Sequence, residues 1–234
     1  MLDVASDVFW TGGYGRTSLQ DVIEATGVKR QSLYGAFGDK EALFFRALER
    51  YTQGSREVED ALAGPGSVLP ALRAVLRSTL LVAQERPGRG CMLGNTVAEL
   101  VPAHERATEV ARDAYAELRR IFIDALERGR ASGEIRSDQQ VADQASTLLA
   151  AMQGLRLVSR AEPEPSRLLG TVDVLLAGLE NRRQETARSG ADGPHQVGSD
   201  CPAVAAWLDA EPGTSASAPQ PSPEGRPRGS PATR

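Results

Sequence analysis

"SLQDVIEATGVKRQSLYGAFGDKEALF" (residues 18–44) holds two apolar patterns hinged on one glycine. Leu19, Val22 and Ile23 fall at i, i+3 and i+4, the spacing of one helical face. Ser18 is placed to cap that helix, and Asp21 suits the positive end of its dipole. Gly27 interrupts the pattern where a left-handed residue would end a helix. Val28, Leu33 and Phe37 restart an apolar face and leave Lys29, Arg30, Gln31, Ser32 and Tyr34 mostly outward. A third pattern starts at Asp39 as cap, with Leu43, Ala47 and Leu48 inward. Two short helices joined at a glycine make a helix-turn-helix. Lys29 and Arg30 oppose the dipole of the second helix, which costs stability. On a helix that enters a DNA major groove, the same groups donate to guanine edges and phosphates.

From residue 9 to residue 48 the chain resembles the DNA-binding domain of the tetracycline-repressor (TetR) family of bacterial regulators. The resemblance rests on Phe9-x-x-x-Gly13-Tyr14-x-x-Thr17-Ser18, the Gly27-Val28 turn, Leu33-Tyr34-x-x-Phe37 and Lys40-Glu41-x-Leu43. Beyond it, "RGCMLGNTVAEL" (89–100) resembles a segment from one branch of the family. "TLLAAMQGLRLVSR" (147–160) and "LLGTVDVLLAGL" (168–179) resemble its last two helices. The family usually carries more helix and a basic arm before this start. The resemblance implies an operator in double-stranded DNA, a homodimer, a small-molecule inducer and repression. It also brings the Tyr34 hydroxyl and the start of the helix at Lys40 to DNA phosphates. Thr17 and Ser18, at a helix N-terminus, are placed to donate to a phosphate as well.

The 234 residues carry 27 Lys and Arg against 31 Asp and Glu, a formal net charge of −4. That excludes a protein that coats DNA by bulk charge, so binding must rest on local contacts. Residues 26–40 supply them, with three basic residues against one Asp. Cys91 and Cys201 alone make neither a disulfide framework nor a Cys-x-x-Cys metal site. No leader pattern is present and no apolar run nears the ~20 residues of a membrane span, so a cytoplasmic location is expected.

Helical spacing continues over 2–10, with Val4, Val8 and Phe9 inward, and over 39–53, with an extension toward Leu62. "AGPGS" (63–67) ends the first unit. Helices are then expected over 68–84, 92–100, 102–130, 141–157 and 166–181, and no convincing strand alternation appears. The expected fold is all-α. A helix-turn-helix domain takes 1–53 and a helical ligand-binding and dimerisation domain 54–184. Residues 185–234 form a Pro/Gly/Ser-rich tail with eight of the fourteen prolines, too polar to build a core. Within it, "CPAVAAWLDA" (201–210) is the one stretch with helical spacing.

Leu149, Met152 and Leu155 in the 141–157 helix, and Leu168, Val172, Leu176 and Leu179 in the last one, exceed the apolar surface a single inward stripe needs. Leu148, Leu157, Leu169 and Leu175 add to it, and Gly154 and Gly178 permit close approach. These helices are therefore the expected dimer face, which the resemblance also implies.

"GGYGRTS" (12–18) imitates a phosphate loop, but no strand precedes it and no Lys stands before its Ser or Thr, so it reads as a turn between helices. His104 and His195 lie apart, and no catalytic motif is present: no enzyme, cofactor or metal is expected. Cys91 follows "RPGRG" and opens a helix, where Arg89 and the dipole would favour a thiolate. It is a small buried residue or a sensor of oxidants or electrophiles. The other reading of the whole chain is an all-α protein-interaction module without specific DNA binding.

Overall fold

A computed structural model describes residues 1–181, Arg86 and Pro163 excepted. The tail, Cys201 and the 201–210 stretch lie outside the described residues. Among those described, every regular element is helical, and one isolated antiparallel bridge joins Ile135 to Glu180.

The first four helices are α1 (Leu2–Gly12), α2 (Leu19–Thr26), α3 (Arg30–Phe37) and α4 (Lys40–Thr52). In α1 Ala5 and Phe9, one turn apart, are buried and Val8 packs against their cluster, while Val4 is 39% exposed. The Phe9 ring meets Phe44 edge-on at 5.2 Å, and Phe44 meets Phe45 at 5.4 Å. Val22, Leu33, Leu43, Ala47 and Leu48 complete this buried cluster. Gly27 ends α2 in the left-handed conformation at φ 67°, as its place in the pattern requires. The helix of α4 does not run on: it stops at Thr52, and α5 (Ser55–Ala63) begins anew after Gly54.

The remaining helices are α6 (Val68–Glu85), α7 (Met92–Leu100), α8 (Glu105–Ala131), α9 (Val141–Val158) and α10 (Leu169–Ala177). The helix expected from residue 102 starts later, where His104 accepts the Ala107 N–H at Nδ1 (3.4 Å). The one expected from residue 166 opens as a 3-10 turn, Pro165–Leu168, and becomes α-helical only at Leu169. A second cluster of Leu72, Leu76, Leu80, Phe122, Leu126, Leu148 and Met152 fills the space between α6, α8 and α9. Glu134 caps α6 from a distant turn, accepting from Ser67 Oγ (2.6 Å) and the Val68 N–H (2.8 Å). Its carboxyl loses water there, yet these hydrogen bonds hold it below the usual carboxylate range.

The first cluster does not end with α4. Cys91, Met92 and Leu93 at the start of α7, and Ala107 and Ala111 of α8, are buried in it. Four short helices make a thin core by themselves, and α7 thickens it.

The apolar residues expected at a dimer face are mostly spent inside the chain. Leu149, Met152, Leu155, Val172, Leu176 and Leu179 are buried in its own second cluster, and Leu168 packs against it. A helix sandwiched between neighbours needs apolar groups on more than one stripe, which accounts for their excess. The exposed large apolar side chains of α9 and α10 are Leu157 (65%), Val158 (50%) and Val174 (77%). No helix among the described residues is long and apolar enough to cross a membrane.

Candidate nucleic-acid interface

Three consecutive helices start in different ways. Ser18 accepts the Asp21 N–H at 3.1 Å while Asp21 accepts the Ser18 N–H at 2.7 Å, a complete capping box on α2. These bonds hold the Asp21 carboxyl below its ordinary range. Asp39 caps α4 by accepting the Ala42 N–H at 2.8 Å. Between them, α3 starts at Lys29 with no side-chain cap and no acid in its first turn. Lys29, Arg30, Gln31, Ser32 and Tyr34 are exposed, and only Leu33 of α3 is fully buried. Its N–H groups and two cations thus face solvent together. That is the arrangement of a helix built to receive an anionic partner.

The Arg30 guanidinium donates to Gln20 Oε1 of α2 at 3.0 Å, so a side chain outside the basic cluster holds it in place. The Lys40 ammonium sits 4.5 Å from the centre of the Tyr14 ring. Two residues expected at a phosphate have partners within the chain. Thr17 is buried, with its hydroxyl against Gly12 where a Cβ would come within 2.3 Å, so it braces the turn. The Ser18 hydroxyl is committed to Asp21, to which it also donates at 2.9 Å. Arg16 is exposed, with its guanidinium tied to the Gly12 carbonyl at 3.1 Å.

Cys91 caps α7, accepting the Gly94 N–H at 3.3 Å. It is 5% exposed, and its sulfur also accepts from the Tyr51 hydroxyl (3.4 Å) and the Arg156 guanidinium (3.6 Å). Burial works against ionisation of this thiol. The Arg156 charge and the three hydrogen bonds outweigh it, so the thiol titrates below its ordinary value. Arg89 is not the responsible cation. It pairs with Asp7 at 2.8 Å and lies 5.5 Å from the Trp10 ring. Among the described residues no carboxylate pairs with Arg156, and the Cys91 sulfur is the acceptor its guanidinium meets. Burial first, and then the Cys91 charge, raise the Tyr51 hydroxyl and push Tyr115 up to about 12. No spacing rule links residues 51, 91 and 156, so this centre was invisible before the fold.

Residues 1–47 match the family described as bacterial regulatory proteins, tetR family, and residues 68–175 match the tetracyclin repressor-like C-terminal domain. The chain is 32% identical to the TetR-family regulator CifR, solved as a cysteine-substituted form with a 26-base-pair operator duplex, over 76% of this chain and 94% of that one, at a TM-score of 0.67. The chain belongs to the tetracycline-repressor family. As a TetR-family protein it is a DNA-binding transcriptional regulator. It is also similar to the uncharacterised regulator YezE of Bacillus subtilis (strain 168), 29% identical over 77% of this chain and 94% of that one. The repressor ComR of Escherichia coli (strain K12) is 29% identical over 72% of this chain and 81% of its own. The matched 1–47 region holds the whole of α3, the uncapped basic helix.

Proposed function

We propose that this regulator is a repressor that binds a roughly palindromic operator as a homodimer and is released by a small-molecule signal. The observation that carries the reading is the outward Lys29, Arg30, Gln31, Ser32 and Tyr34 cluster at an uncapped helix start. Similarity to CifR, a structure solved on operator DNA, and to the repressor ComR supports it. Lys40 holds a phosphate and α3 reads base edges. A footprint on the DNA upstream of its own gene should show two half-sites about one helical turn (~34–36 Å) apart. An unprotected upstream region with no sequence preference would leave the protein-interaction reading.

The dimer is proposed to form on the outer side of α9 and α10, at Leu157, Val158 and Val174 rather than at the buried leucines. The support for this reading is that these are the large apolar side chains the two helices leave exposed. Leu157→Glu with Val174→Glu should give folded monomers in sedimentation. Leu176→Glu should instead unfold the domain, because Leu176 is fully buried and would place a charge in the core. A wild-type monomer at micromolar concentration rules the dimer out.

Cys91 is proposed as the sensing group, on the strength of its pairing with Arg156. A small alkylating reagent should release DNA from the wild type and not from Cys91→Ser. Equal release from both proteins would return Cys91 to a packing role.

A further inference from the structure

The glycine-rich turn 12–15 holds an anion after all, and the anion belongs to the chain itself. Glu99, on α7, accepts the Tyr14 N–H at 2.9 Å through Oε2 and the Gly15 N–H at 2.5 Å through Oε1. Two successive backbone N–H groups aimed at one carboxylate form an anion nest. The glycines make room for it. Gly13 sits at φ 79°, and a Cβ on Gly13 or on Gly15 would lie 2.9 Å from a Glu99 oxygen. Among the described residues no basic side chain pairs with Glu99, so both oxygens are given to this turn.

What the turn carries sets what Glu99 can do. The Tyr14 ring lies 4.9 Å from Phe44 and beneath the Lys40 ammonium. Gly12 seats the Thr17 hydroxyl, and the next residue, Ser18, caps α2. Through α2, Gln20 holds Arg30. One carboxylate therefore fixes the support of Lys40 and the start of the helix pair that presents Arg30. The other end of α7 is tied to the same unit. The Trp10 indole N–H donates to the Gly90 carbonyl at 3.1 Å, Arg89 pairs with Asp7, and Cys91 accepts from Tyr51. A shift of α7 would have to move this turn or break its two hydrogen bonds.

We infer that Glu99 is a positioning residue for operator recognition: it seats the 12–15 turn and so transmits the position of α7 to the recognition helix. This rests on the chain binding operator DNA, as proposed above. The test uses the full chain with a duplex carrying the site footprinted upstream of its gene, and a scrambled duplex of equal length. Glu99→Gln keeps the size and loses the charge, leaving one turn N–H facing the amide NH2. Operator affinity should fall about tenfold, the scale of a charged hydrogen bond at a solvated site. Affinity for the scrambled duplex should hold or rise slightly, so the ratio of the two falls. Amide exchange at Tyr14 and Gly15 should quicken, with little change in Tm. Gly15→Ala, which crowds the same oxygen, should reproduce the loss and add little to Glu99→Gln in the double variant.

Equal losses on both duplexes with a lowered Tm would make Glu99 merely structural and overturn the inference. So would faster exchange with unchanged operator affinity. A gain on both duplexes with a steeper salt dependence would also overturn it, since the nest would then receive a DNA phosphate that Glu99 blocks. If the wild type itself shows no preference for the footprinted duplex, the DNA-binding proposal fails first and this inference falls with it.

Discussion

The starts of α2 and α4 differ from the start of α3, though the three helices lie within one run of thirty-odd residues. Ser18 with Asp21, and Asp39, satisfy backbone N–H groups that would otherwise be left open. At α3 the corresponding position is Lys29, which accepts nothing, and Arg30 follows it. A missing cap costs about 0.5–2 kcal/mol, and cations at a helix N-terminus add a further unfavourable term. The rest of the unit offsets this. Leu33 anchors α3 in a core of three packed phenylalanine rings, to which α7 contributes Met92 and Leu93. Stability is thus concentrated where the helices meet one another and withheld at the exposed start of α3.

Giving α3 the cap of its neighbours breaks the contrast most directly. Lys29→Asp should raise unfolding free energy by about 1 kcal/mol in denaturant melts, by supplying the missing cap. The same variant should lose about 3 kcal/mol or more of operator affinity, since a donor becomes a charge that repels phosphates. A variant that is stabilised and still binds would show that α3 does not enter the groove. Arg30→Ala sharpens the point. It should cost about 1–3 kcal/mol on the operator and relax preference at one base position, read by anisotropy on a panel of duplexes. Gln20→Ala, which frees Arg30 without removing it, should fall between Arg30→Ala and the wild type.

Smaller effects are expected at the capped helices. Ser18→Ala should lower stability by about 1 kcal/mol and weaken DNA binding only through that loss. Lys40→Ala should weaken binding to all sequences alike and reduce the salt slope by about one unit. At the far side of the same core, the rate of Cys91 alkylation should report the Arg156 pairing. The folded thiol titrates below its ordinary value, so thiolate persists to lower pH and the labelling profile should lie to the acid side of a free thiol. Arg156→Met should move that profile upward. Because the folded value is the depressed one, the pairing stabilises the fold above the ordinary thiol pKa, and that contribution fades as pH falls through the folded value. An unshifted profile in the wild type would place Cys91 outside any ion pair.

The helix pair was legible because its signals are local. Leu19, Val22 and Ile23, the stop at Gly27, and the caps at Ser18 and Asp39 each act on partners within four residues, and each behaves as its spacing requires. Long-range features were legible only in part. Thr17 sits at a helix N-terminus in sequence, but its hydroxyl turns inward to fill the space left by Gly12. The leucines of α9 and α10 carried the right periodicity for burial and no mark of what buries them. The second core claims them before any partner chain can.

By itself, then, the order of residues determined the helices, the glycine turn and the outward basic cluster, because hydrogen-bond caps and 3.6-residue periodicity are fixed by the chain a few residues at a time. The tertiary structure alone decided which cation faces Cys91, which carboxylate fills the 12–15 turn and which face of α9 stays exposed. Those outcomes join residues separated by 65 positions in the case of Cys91 and Arg156, and by 84 and 85 in the case of Glu99 and its turn. At such separations the partner is chosen by the packing of whole helices, which no local pattern encodes.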